Sequence, residues 1–134
     1  MNSAPSAVRC RIAACREDLN DGMYWSFYLI NDSDVAFQSA TLVCVATEWG
    51  DQGHSEVVDS RVTDLAPGSH ALLCRDDGDN TEFRMELSVS VQVNGTEARL
   101  TFEFPKLYIQ RNLPVVAGLS KPGYQVSAEC HVKL

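Results

Sequence analysis

Five cysteines, three histidines and one acidic run are the groups in this chain with the chemistry to hold a metal or attack a substrate. Cys130 and His131 are adjacent. Neighbours in a strand point to opposite faces, so these two cannot share one ion. His70 and Cys74 are four apart, which places them on one strand face but roughly 13 Å apart at the rise of a strand. His54 stands alone, and no further pair of ligands has zinc spacing. The run around Asp76, Asp77, Asp79 and Glu82 could offer oxygen ligands to calcium. Its spacing departs from D-x-[DN]-x-[DN]-G, so it reads as an acidic hairpin loop. A cysteine nucleophile needs a histidine base and an accessible thiol of low pKa. Cys44 and Cys74 lie in apolar runs, where burial acts the other way. G-x-S-x-G, a phosphate-cradling glycine loop and H-E-x-x-H do not occur. The expectation is no catalytic residue, no metal and no cofactor.

Side chains that could bind a partner are easier to find. Trp25 falls in a doubly apolar run and is expected in the core. Trp49 sits at a strand end beside Gly50-Asp51 and is a candidate binding anchor, or a lid on the end of the core. The segment R-N-L-P-V-V-A-G-L-S-K-P-G-Y, residues 111–124, is apolar at its centre yet interrupted by Pro114, Gly118, Pro122 and Gly123. Prolines exclude it from a central strand. It must therefore cover the core or bind something at the surface. Tyr108, Arg111, Leu113, Val115, Val116 and Leu119 are the candidate binding residues, with Val115 expected to be buried and its neighbours exposed. Arg111 and Lys121 flank the apolar centre in an otherwise acidic protein, and Arg and Tyr are favoured at interfaces. Tyr108-Ile109-Gln110 is expected as a short strand.

The elements that position these residues follow a period of two. Val8, Cys10, Ile12 and Ala14 alternate with Arg9, Arg11 and Ala13, and E-D-L-N-D-G (17–22) reads as a turn. M-Y-W-S-F-Y-L-I (23–30) is apolar on both faces, the mark of a strand covered on both sides. Residues 40–49 form a third strand. The charged run 55–62 suits an exposed edge. S-H-A-L-L-C-R follows the turn at 65–68. Phe83, Met85, Leu87, Val89, Val91 and Val93 alternate without a fault. Asn94-Gly95 then calls for a type I′ hairpin. Ala98 to Phe104 and Val126 to Leu134 alternate again. No window shows a helical face. Several short strands with turns between them predict an all-β protein, an antiparallel immunoglobulin-like β-sandwich of about 7–9 strands. Residues 1–134 form a single domain, with 1–6 expected to be flexible.

The charge balance narrows the partners. The chain carries 11 Lys and Arg against 18 Asp and Glu, a net charge of −7. Nucleic-acid binders cluster Lys and Arg against phosphates, so nucleic acid and anionic membrane are poor partners. The first residues show no charged n-region followed by an apolar stretch. The odd number of cysteines, without a C-x-x-C pair, reads as reduced thiols packed like small hydrophobes. A cytoplasmic location is expected.

F-Y-L-I-N-D-S at 27–33 and L-A-P-G at 65–68 give a more particular likeness. An aromatic strand ending in Asn, a polar turn, a β-branched strand and L-x-P-G before the next strand resemble bacterial immunoglobulin-like domains of the cell-adhesion-related (CARDB-like) and fibronectin-III-like type. The likeness spans about residues 23–104 and implies a fold. The Cys-Trp-Cys arrangement of antibody-type domains is missing. Such modules usually belong to larger exported proteins, which this chain's start does not suggest. Function does not follow from fold.

Two functions are consistent with these residues. The first is a non-catalytic protein-interaction module that binds a protein partner, or itself as a homodimer, through an edge strand or the 108–124 segment. The alternative is a small-ligand carrier or enzyme with a pocket in a barrel-like fold.

Overall fold

Alternation of apolar and polar residues builds strands nearly end to end in the computed structural model, which describes residues 5–49, 52–76 and 81–133. The strands are β1 (Pro5–Leu19), β2 (Gly22–Asn31), β3 (Phe37–Trp49), β4 (Gln52–Leu65), β5 (His70–Asp76), β6 (Met85–Val93) and β7 (Thr96–Phe104). Two short strands, β8 (Val115–Val116) and β9 (Lys121–Pro122), precede the last long one, β10 (Tyr124–Lys133). The protein is all-β and every strand pairing is antiparallel. One sheet has the order β10-β1-β2-β5 and the other β4-β3-β6-β7. No helix among the described residues is long and apolar enough to cross a membrane.

Both sheets contribute to one core. Val8, Cys10, Ile12 and Ala14 of β1 and Trp25, Phe27 and Leu29 of β2 meet Leu42 of β3, Leu87, Val89 and Val91 of β6, and Leu100 and Phe102 of β7. Phe27 and Phe104 pack edge to face across the gap, with ring centroids 5.4 Å apart. The hairpin between β6 and β7 turns at Asn94 and Gly95, both at positive φ (49° and 78°), as a type I′ turn requires.

The two turns behind the sandwich likeness touch. The buried Asn31 amide donates to Val35 O (2.9 Å) and Leu65 O (3.0 Å), and its Oδ1 accepts from the Ser33 N–H. Its backbone joins the second turn too: Gly68 N–H donates to Asn31 O and Asn31 N–H to Ser69 O. One buried side chain thus ties the end of β2 to the end of β4 and satisfies the carbonyls of Val35 and Leu65.

Four local expectations need correction. β1 does not stop at a turn beginning at Glu17. It pairs with β2 as far as Leu19↔Gly22, so only Asn20 and Asp21 make the turn. β4 is an edge strand but far longer than residues 55–62. Tyr108 and Ile109 lie in a single 3-10 turn, Leu107–Ile109, and not in a strand. His70 and Cys74 do not share a face. A register shift opposite Phe27/Tyr28 places Cys74 against the main core, while His70 stacks its ring edge-on to Tyr28 on the outer face. The Leu73 carbonyl in this irregular stretch accepts a hydrogen bond from Ser60 Oγ of β4, which links the two sheets.

Candidate interaction surface

β2 presents apolar groups to both faces, and the second face must be covered. Ala13 and Cys15 of β1 with Tyr28 and Ile30 of β2 form an outer apolar patch, bordered by Leu72 of β5. Residues 114–123 fold into a small hairpin, here termed the strap, that lies on this patch. Val116 is fully buried and Leu119 nearly so against it. Pro114 O accepts from the Gly123 N–H and Val116 O from the Leu119 and Ser120 N–H groups, which closes the hairpin. Gly118 at φ 92° and Ser120 at φ 58° make its sharp return. Gly123 is needed for close approach: a Cβ there would stand 2.8 Å from Cys15 Sγ and 3.1 Å from Ala14 O.

Polar groups fasten the strap at two places. Lys121 Nζ donates to Glu17 Oε2 (2.9 Å) and to Tyr28 Oη (3.2 Å), and the Tyr28 hydroxyl donates to Glu17 Oε1 (2.6 Å). The ammonium also sits 5.0 Å from the Tyr28 ring centroid. Burial alone would raise the Glu17 pKa. Hydrogen bonds from Ser26, Tyr28 and Lys121, with the charge of Lys121, outweigh it and hold the carboxyl at about 2. At the other end Arg11 makes a fork to Asp32, with Nε to Oδ2 at 2.7 Å and Nη2 to Oδ1 at 2.9 Å. Its Nη1 donates to Gln125 Oε1 (2.7 Å) and to Ala117 O of the strap (3.2 Å).

The structure divides the sequence-predicted binding residues into two groups. Val116 and Leu119 face inward and hold the strap down, and Leu113 is partly buried against the main core. Val115 is 65% exposed, the reverse of the expected burial, because β8 alternates and Val116 takes the inward side. Tyr108 at 48% and Ile109 at 54% are also exposed, as is Arg111. Trp49 ends β3 opposite Gln52, and its side chain lies outside the described residues. So do Asp77 and Asp79 of the acidic run, the side chain of His54, and residues 1–4. Among the described residues no group of His, Cys, Asp and Glu is gathered for a metal.

The thiols follow burial. All five cysteines are free. Desolvation, assisted by nearby carboxylates, pushes Cys10 and Cys74 up to about 12 and Cys15 to about 11, so none of these three is a ready nucleophile. Two open depressions, of about 170 and 370 Å³, border Arg9 and Asp32. Much of their polar lining is already paired: Arg9 N–H donates to Ser33 Oγ, Arg9 Nε lies 3.7 Å from Glu129, and Asp32 holds Arg11.

Sequence reasoning missed Glu17, Tyr28, Arg11 and Arg111's role in its own turn. Glu17 was hidden by its turn-like neighbours. A carboxylate continuing the outward parity of Ala13 and Cys15 was the signal that could have found it. Neither a protein-family model nor a curated protein matches the chain, so the CARDB-like likeness rests on the Asn31 and Leu65–Gly68 turns.

Proposed function

We propose that this protein is a non-catalytic interaction module of immunoglobulin-like β-sandwich type that binds a protein partner through the exposed part of the connection between β7 and β8. One observation carries the reading. Of the four large hydrophobic side chains that stand exposed among the described residues, Leu19, Tyr108, Ile109 and Val115, three fall between residues 108 and 115. Clustered exposed apolar groups next to an arginine are what partner surfaces use. Two four-stranded antiparallel sheets over one core support the sandwich reading. Five free thiols support a reducing, cytoplasmic setting. A homodimer through the β4 edge is the second form this reading takes.

The test compares Tyr108→Ala and Ile109→Asp with the unaltered chain by cross-linking in a native extract and by sedimentation. Both variants fold, because the side chains are half exposed, and both lose the cross-linked partner. Undiminished cross-linking by both would overturn the reading. A monomer–dimer equilibrium that responds to charge reversal on β4 and not to these variants would shift it to the edge strand.

A further inference from the structure

The exposed turn differs in charge from the rest of the molecule. All 18 carboxylates lie outside residues 104–128, and that stretch holds Lys106, Arg111 and Lys121. Lys121 is spent on Glu17. Lys106 and Arg111 have no carboxylate partner among the described residues. Arg111 Nη1 donates to Tyr108 O (2.7 Å) and Gln110 O (3.0 Å), which folds the guanidinium back over the turn. Its Nε and Nη2 meet no described acceptor. Tyr108 and Ile109 stand between the two cations, and Leu107 beneath them is fully buried. The turn is held by Tyr108 N–H on Thr81 O and Gln110 N–H on Leu107 O.

We propose that the partner engages this turn with an acidic segment carrying aromatic or aliphatic side chains, its carboxylates on Lys106 and Arg111 and its apolar groups on Tyr108 and Ile109. The proposal rests on the reading of this connection as the binding surface and names what it takes. A guanidinium with free Nε and Nη2 presents the fork that matches a carboxylate. Glu82, next to Thr81, and Glu103 of β7 are acidic neighbours of this turn, but neither is ion-paired with Lys106 or Arg111, which leaves both cations open to a partner's carboxylates in direct contact. A second copy is disfavoured because each brings a net charge of −7. The patch is small, so binding is weak and transient, on the order of micromolar.

A displayed library of random dodecapeptides is panned on the full chain, on Lys106→Glu/Arg111→Glu and on Ile109→Asp. The unaltered chain enriches peptides with several Asp or Glu around an aromatic or aliphatic residue. A synthetic consensus peptide then binds at least ~10-fold more weakly to the charge-reversed variant, and more weakly as salt rises from ~50 to ~300 mM. Arg111→Gln, which reverses no charge, gives an intermediate loss, and melting curves confirm that each variant folds. No enrichment, or a consensus without acidic residues, overturns the proposal. Peptides lost on Ile109→Asp but retained on charge reversal leave the surface in place and refute the acidic partner. Peptides retained on both variants refute both readings. A salt-sensitive dimer of the chain abolished by charge reversal would make the occupant a second copy and overturn the proposal as well.

Discussion

Replacing Glu17 by Gln removes one charge from beneath the strap and keeps the shape of the side chain. Glu17 is 17% exposed and its partner Lys121 43%, so solvent screens part of their attraction. Its carboxyl titrates at about 2 against the ordinary 4.5. At ~1.36 kcal/mol for each tenfold change, and with solvent screening part of it, the folded state favours the ionised form by at most about 3 kcal/mol. Gln still accepts from Tyr28 through its carbonyl, so the expected loss at neutral pH is about 2 kcal/mol, or roughly 5–10 °C in Tm. The sign with pH is fixed by the depressed pKa. The stabilisation is complete above the unfolded value near 4.5 and is lost as pH falls through the folded value near 2. Urea unfolding followed by fluorescence of the buried Trp25 therefore separates wild type from Glu17→Gln at pH 7, and the gap narrows steadily between pH 4.5 and 2. Lys121→Met removes the cation instead. Its side chain is 43% exposed, and the expected loss is only about 1 kcal/mol. A gap under ~0.5 kcal/mol for Glu17→Gln, unchanged with pH, would show that the cluster does not fasten the strap.

Three further outcomes follow from the same geometry. Val116→Ala costs about 2 kcal/mol in chemical denaturation, whereas Val115→Ala, at 65% exposure, costs close to nothing; equal losses would refute the assigned faces. Gly123→Ala forces a Cβ toward Cys15 Sγ and Ala14 O, lifts the strap, and speeds labelling of the Cys15 thiol by a maleimide; unchanged labelling and Tm would contradict the close approach. Gly95→Ala costs about 1 kcal/mol because φ is 78° at that position, and an unchanged denaturation midpoint would argue against a type I′ turn there.

How far the fold was legible depends on the strand. β6 and β7 alternate faultlessly and end at Asn94-Gly95, and period two is the whole of their structure. β2 was legible as a strand covered on both faces because Tyr28 and Ile30 are as large as Phe27 and Leu29. β3 and β5 were less so. β3 buries Ala40 and Leu42, then Val45, so a bulge between Leu42 and Cys44 changes its parity. Nothing in L-V-C-V announces a bulge, since every residue suits either face. The strap was visible as an anomaly, but its seat was not. The pairing of Val116 with Cys15 and Tyr28, or of Lys121 with Glu17, bridges some ninety to a hundred residues and depends on the crossing from one sheet to the other. Pattern along the chain carries no such information.

The strap also bears on what is left for binding. Had the outer patch of β1 and β2 been open, it would have been the natural docking face. Val116 and Leu119 already fill it, and Lys121 and Arg11 fasten the hairpin there. Beside Val115 on the strap's outer side, the large apolar side chains that remain exposed among the described residues of this segment are confined to the turn before the strap. It lies between Leu107, which is fully buried, and Leu113, which packs on the main core. Two anchors six residues apart leave the intervening backbone little freedom, and the Thr81 carbonyl removes more. Ordering a mobile loop on binding costs about 0.5–1.5 kcal/mol for each side chain fixed. A turn already held in place avoids part of that cost. On the proposed reading, the apolar centre of 111–124 would serve recognition indirectly, by fixing the turn that presents Tyr108, Ile109 and Arg111.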